Sequence, residues 1–129
     1  MQLVDTHTHL YLTEFKDDID TVINNAIKVG VRYFLLPSID STHTDAMHVL
    51  EAAYPEKIFA MAGLHPCSVN DNVATELAHV QQLLQQHSYK AIGEIGLDHY
   101  WDTTYADQQE QAFEQQMEWA LTYNLPIVI

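Results

Sequence analysis

Short apolar runs of strand length recur along this chain between longer segments of helical period, and no other feature limits its possible folds so strongly. The runs lie at 3–8, 31–37, 58–64, 91–97 and 126–129. Such an order is the signature of βα units and a parallel sheet, hence of an α/β fold. The three middle runs are nearly continuous in apolar residues, as strands covered on both faces are. Helical segments separate the runs at about 17–29, 41–54, 73–87 and 105–123.

In the first helical segment Ile19, Val22, Ile23, Ala26 and Ile27 share one face, acidic residues occupy the first turn and Gly30 is the stop. The second starts behind Asp40 or Ser41 as N-cap and ends before Pro55. Leu77, Val80, Leu83 and Leu84 give the third its apolar face, and Phe113, Met117, Ala120 and Leu121 do so for the fourth. The glutamine-rich side of that last helix reads as solvated. A right-handed series of these units either opens into a doubly wound sheet or closes into a (β/α)8 barrel. The apolar run at 126–129 has no helix to cover it, so residues 1–129 are expected to be the N-terminal portion of one larger domain. Open edges predict self-association or partial folding of the chain alone, with no other stable protein partner.

Charge narrows the function. Asp and Glu number 18 against 5 Lys and Arg, for a formal net charge of -13, which excludes a broad basic face for nucleic acid. A nucleic-acid substrate would need positive charge from another source. Cys67 is the single cysteine, and no apolar leader or membrane-length apolar run is present, so a cytoplasmic, reduced location away from membranes is expected.

The strongest chemical signal is Asp5-Thr6-His7-Thr8-His9 at the end of the first run. On a strand, His7 and His9 share a face with backbones about 6 to 7 Å apart, close enough for both rings to reach one cation. Asp5 has the same parity and is placed to orient a histidine tautomer. The competing reading is two satisfied histidines at a strand end. The second signal is Gly93-Glu94-Ile95-Gly96-Leu97-Asp98. A carboxylate inside so apolar a run must be protonated, paired or bound to metal, which makes Glu94 the best third ligand. A pair with Lys90 or Arg32 is the alternative. In the third, Gly63-Leu64-His65-Pro66, His65 sits where it can donate to a substrate oxygen. Asp98, His99, Tyr100 and Trp101 line the same mouth, the aromatics offering stacking surface for a base or packing under a loop. His43, His48, His79 and His87 read as surface residues, and Cys67 as a thiol without an activating partner.

Taken with the Leu125-Pro126-Ile127-Val128-Ile129 ending, these motifs resemble, in order and spacing, the TatD family of metal-dependent deoxyribonucleases, within the wider amidohydrolase superfamily. The resemblance implies a TIM (β/α)8 barrel, present here as strands 1–5 and helices 1–4, with a divalent metal centre at its C-terminal mouth. It implies cleavage of DNA phosphodiesters, single-stranded or from 3′ ends. His7 and His9 match metal ligands, and Glu94 the carboxylate shared between two metals. His65 matches a phosphate contact, Asp98 a catalytic aspartate at the mouth, and His99 stands at a substrate-facing position where tyrosine is common. Two cations together can acidify water and bind the phosphate, which reconciles the acidic composition with a DNA substrate. Imidazole ligands suit zinc or manganese, whereas magnesium, usual for the family, prefers oxygen. Two other readings compete: amide or ester hydrolysis in the amidohydrolase manner, and a chain that is non-catalytic by itself for want of further ligands.

Overall fold

The computed structural model describes residues 1–129. Its elements run β1 (Leu3–Asp5), α1 (Ile19–Lys28), β2 (Val31–Leu36), α2 (Thr44–Ala53), β3 (Ile58–Ala60), α3 (Val73–Gln86) and α4 (Ala106–Tyr123). The strands form one parallel sheet in the order β1-β2-β3, with Asp5 opposite Phe34 and Phe34 opposite Ile58. All four expected helices form; three keep their expected ends within two residues, and α2 starts three residues later than expected because 41–43 form a 3-10 turn. Gly30 terminates α1 as expected: its φ is +106°, a region where a side chain is strained, and its N–H bonds the Ile27 carbonyl. Asp40 is the cap that the sequence left between two candidates. Its carboxylate accepts from the Thr42 N–H at 3.0 Å and starts a 3-10 turn, Ser41–His43, that leads into α2.

The five expected strands are only partly realised. β1 stops at Asp5 rather than Thr8, β3 at Ala60 rather than Leu64, and the runs at 91–97 and 126–129 join the sheet through single bridges, Ala62 to Ile92 and Ile92 to Ile127. The reason lies in where the backbone bonds go. Ile92 donates to Pro126 and accepts from Val128, as a ladder requires, but the Gly93 carbonyl and Glu94 N–H turn to Ser38, beyond the end of β2. The parallel order β3, 91–97, 126–129 is therefore kept while regular pairing ends after a few bonds.

Coverage also differs from expectation. α1 and α2 pack on one face of the sheet, burying Phe34, Leu36 and Ile58 with Ile23 and Met47. The other face, with Val4, Tyr33, Leu35 and Phe59, is partly open, so β2 alternates instead of being buried throughout. The glutamine-rich side of α4 is not wholly solvated either. Gln116 is buried and clamps both backbone groups of Leu64, accepting from its N–H at 2.7 Å and donating to its carbonyl at 3.3 Å. One face-repeat earlier on the helix, Gln109 does the same to Asp98, at 2.9 and 3.0 Å. Loops leaving the sheet lack ladder partners, and a primary amide, both donor and acceptor, satisfies such a peptide.

Candidate metal centre

The carboxyl ends of the parallel runs carry the site. Beyond β1, one bond from the Thr8 N–H to the Leu35 carbonyl, 3.2 Å, pins the segment holding His7 and His9. They therefore lie on a loop and not on a strand, yet their ring centroids are only 5.3 Å apart. His7 Nε2 lies 2.9 Å and His9 Nε2 3.4 Å from the same oxygen of Glu94, Oε2. His65 Nε2 lies 3.2 Å from the other, Oε1. Glu94 thus collects three imidazoles.

Close backbone packing puts Glu94 there. A Cβ on Gly93 would fall 2.7 Å from Val128 Cβ, and one on Gly63 would fall 2.8 Å from the Gly93 carbonyl carbon. Glycine at both positions lets three backbones approach more closely than side chains permit. Neither basic residue offered as an alternative partner for Glu94 is near it: Arg32 bonds Gln2 and lies over Tyr33, and Lys90 lies over Phe59.

The hydrogen bonds behind the rings differ. Nδ1 of His65 accepts from the Cys67 N–H at 3.0 Å, so the neutral ring carries its proton on Nε2 and donates toward Glu94. Nδ1 of His9 instead faces the Tyr11 hydroxyl at 2.8 Å. Burial holds the His9 pKa below its ordinary value, with the Glu94 carboxylate opposing it. Burial, reinforced by Asp40 and Glu94, pushes the Tyr11 phenol well up, so it stays protonated. Tyr11 was not singled out from sequence. Its signal is parity, since it continues the alternation of His7 and His9 two residues on.

Other expected site residues stand apart. Asp5 orients no ring; its Oδ1 accepts the His7 backbone N–H at 3.3 Å, because the chain turns immediately after β1. Asp98 accepts from the Tyr100 N–H at 2.9 Å and the Cys67 thiol at 3.3 Å, the first of which chiefly lowers its pKa. Partial burial and that carboxylate push the Cys67 thiol up, which makes it less nucleophilic. His99 is exposed and hydrogen-bonds none of these groups. Tyr100 and Trp101 are largely exposed and stack edge to face on each other, at 4.7 Å between centroids.

His7, His9 and Glu94 offer ligand atoms that all lie within 4.8 Å of one another. Ligands bonded to one cation at about 2.0 to 2.2 Å sit roughly 3 to 3.6 Å from each other. The 2.9 and 3.4 Å separations on Glu94 Oε2 match that spacing, so the donor set fits a divalent cation without rearrangement of the backbone.

Parallel βα units carrying two histidines and a glutamate at their carboxyl ends present a donor set of the imidazole and carboxylate kind that could hold a divalent metal. Comparison with known proteins agrees: the chain belongs to the TatD related DNase family, whose model matches residues 4–129. It is 35% identical over 128 residues to the uncharacterised metal-dependent hydrolase YabD of Bacillus subtilis (strain 168), covering 98% of this chain and 49% of the relative. It is 28% identical to the 3′-5′ ssDNA/RNA exonuclease TatD of Pantoea ananatis (strain LMG 20103), with 98% and 49% covered. The crystal structure of YjjV, a TatD homologue from Escherichia coli K12, superposes with a TM-score of 0.86 at 27% identity, over 97% of this chain and 49% of that one. The chain therefore spans about half the length of the relatives it matches.

Proposed function

We propose that these residues form part of the metal centre of a hydrolase that cuts DNA phosphodiester bonds, as a 3′-5′ exonuclease built on a (β/α)8 barrel of which residues 1–129 are the N-terminal portion. The observation that carries the reading is the convergence of His7, His9 and Glu94 at the carboxyl ends of parallel runs. His7 and His9 would hold the cation through their imidazoles and Glu94 through its carboxylate. A divalent cation bound there supplies Lewis acidity toward a phosphate oxygen and lowers the pKa of water. His65 has the opposite task. With its proton on Nε2 it is a donor, suited to a phosphate oxygen once Glu94 is engaged elsewhere. Asp98, kept ionised by the Tyr100 N–H, is the carboxylate available to take up a proton at the mouth, and the exposed His99 faces solvent where a nucleotide would arrive. With a divalent cation held by this carboxylate and these imidazoles, an acidic protein would have the positive charge to grip a polyanion without a basic surface. No helix is long and apolar enough to cross a membrane, which accords with action on DNA in the cytoplasm.

The test is a substrate panel with magnesium, manganese or zinc. Metal-dependent shortening of single-stranded DNA from its 3′ end is expected; hydrolysis of a cyclic amide with DNA left intact would replace this reading with the amidohydrolase one. A second reading, that the 129 residues alone are non-catalytic, is favoured by the ligand count, since one carboxylate and two imidazoles leave a cation incompletely held. Calorimetric titration of the chain with zinc or manganese separates the two: micromolar binding with turnover excludes it.

A further inference from the structure

We infer that Tyr11 is a positioning residue that fixes the tautomer of His9 and so decides which of its ring nitrogens is offered to a cation; the inference rests on the metal-centre reading above. A neutral imidazole has one N–H and one lone pair, and only the lone pair can bind metal. Tyr11 has a single hydroxyl proton, which it donates to the Pro37 carbonyl at 2.6 Å. Pro37 is fully buried and its carbonyl receives no backbone N–H, so this proton cannot be turned elsewhere without leaving a buried acceptor unpaired. Toward His9, 2.8 Å away, the hydroxyl oxygen is therefore an acceptor, and Nδ1 must carry the ring proton. The lone pair is left on Nε2, the nitrogen that faces Glu94 Oε2 at 3.4 Å. A relay of backbone carbonyl, phenol and imidazole thus points one lone pair at the cluster.

His65 provides the internal control. The Cys67 N–H donates to its Nδ1, which puts the proton on Nε2 and makes that ring a donor to the same carboxylate. Two histidines on one glutamate therefore hold opposite tautomers because of what stands behind them. Groups that orient a ligand ring in this way typically support metal affinity by about 10- to 100-fold.

Tyr11→Phe keeps the buried ring and removes only the hydroxyl. Two measurements on the 129-residue chain decide the matter: imidazole nitrogen shifts of His9 in the metal-free chain, and zinc and manganese titration by calorimetry. The wild type is expected to show the Nδ1–H form. The variant should gain the Nε2–H form and bind zinc about 10- to 100-fold more weakly, while the His65 shifts stay in place. A wild type with the proton on Nε2 of His9 overturns the inference whatever the variant does. His9 shifts unchanged in Tyr11→Phe, or zinc bound by the wild type no better than by the variant, overturn the inference alone; a wild type that binds no metal bears on the metal-centre reading, and the His9 shifts then decide the inference by themselves.

Discussion

Two clusters in this molecule are built from nearly the same side chains and do different things. At the carboxyl ends of the sheet, His7, His9 and His65 direct Nε2 at one glutamate. Between α2 and the end of α3, His48 and His87 stack at 4.7 Å beside Glu51 and Tyr89. There both glutamate oxygens and the Nε2 atom of each histidine have a structural occupation. Glu51 Oε1 accepts from the Ala60 N–H at 2.7 Å, its other oxygen meets His87 Nε2 at 2.8 Å, and His48 Nε2 turns away to the Tyr89 hydroxyl at 2.7 Å. The same residue types therefore offer a candidate ligand set in one place and form a buckle between helices and sheet in the other. What separates them is whether lone pairs face a common point or are spent one by one on backbone and hydroxyl groups.

That contrast can be broken from either side. The largest effect is expected from Glu94→Ala, which removes the oxygen common to His7 and His9: zinc or manganese affinity should fall by more than the roughly 100-fold typical of merely supporting groups, with little change in the melting curve. Calorimetry beside a thermal melt checks this, and unchanged affinity would sink the assignment of the first cluster.

Glu51→Ala should act the other way round. It orphans the N–H of the fully buried Ala60, a loss of about 1–3 kcal/mol in denaturant unfolding, and leaves metal affinity as it was. Glu51→Gln, which keeps an acceptor, should recover much of the loss. A metal response at Glu51 would mean that the two clusters are not separate in kind.

The smallest effect concerns pH. Burial, aided by the neighbouring His87, holds the His48 pKa below its ordinary 6.5. Between that lowered value and 6.5 the unfolded chain binds a proton that the folded chain refuses, so stability rises with pH across this window. The contribution is complete above pH 6.5 and is lost as pH falls through the folded-state value. Urea midpoints measured from pH 7.5 down to 5 should decline, and His48→Gln should decline less steeply. Equal slopes would show that His48 titrates as it does in the unfolded chain.

Much of the architecture was open to inspection in the sequence because it depends on local periodicity. Ile19, Val22, Ile23, Ala26 and Ile27 mark one face of α1 whatever surrounds them, and Asp40 punctuates through its capping carboxylate and Gly30 through its backbone. The site was legible where a residue was out of place, as Glu94 is in an apolar run. The strands at 91–97 and 126–129 were over-read because apolar content reports burial, not pairing, and the Gly93 and Glu94 peptide turns to Ser38 instead. Of the four histidines read as surface residues, His87 is exposed as expected while His43, His48 and His79 are half-buried, and each makes a specific contact: His43 with Asp40, His48 with Tyr89, His79 with Thr44 and His87 with Glu51. Gln109 and Gln116 were hidden in the same way, since a glutamine that clamps a distant peptide looks like any other glutamine on a polar face.

The amino-acid order by itself determined which segments are helices, that the strands run parallel, and that two histidines and a glutamate would be carried at their ends, because periodicity, capping and the cost of a buried charge act within a few residues. Only the tertiary structure decided what those side chains mean to one another. Which proton sits on which imidazole, and whether a glutamate gathers ligands or holds a backbone N–H, depends on hydrogen-bond partners brought from Pro37, Cys67 and Ala60. Such partners are set by folded geometry within about 3 Å and leave no period in the chain.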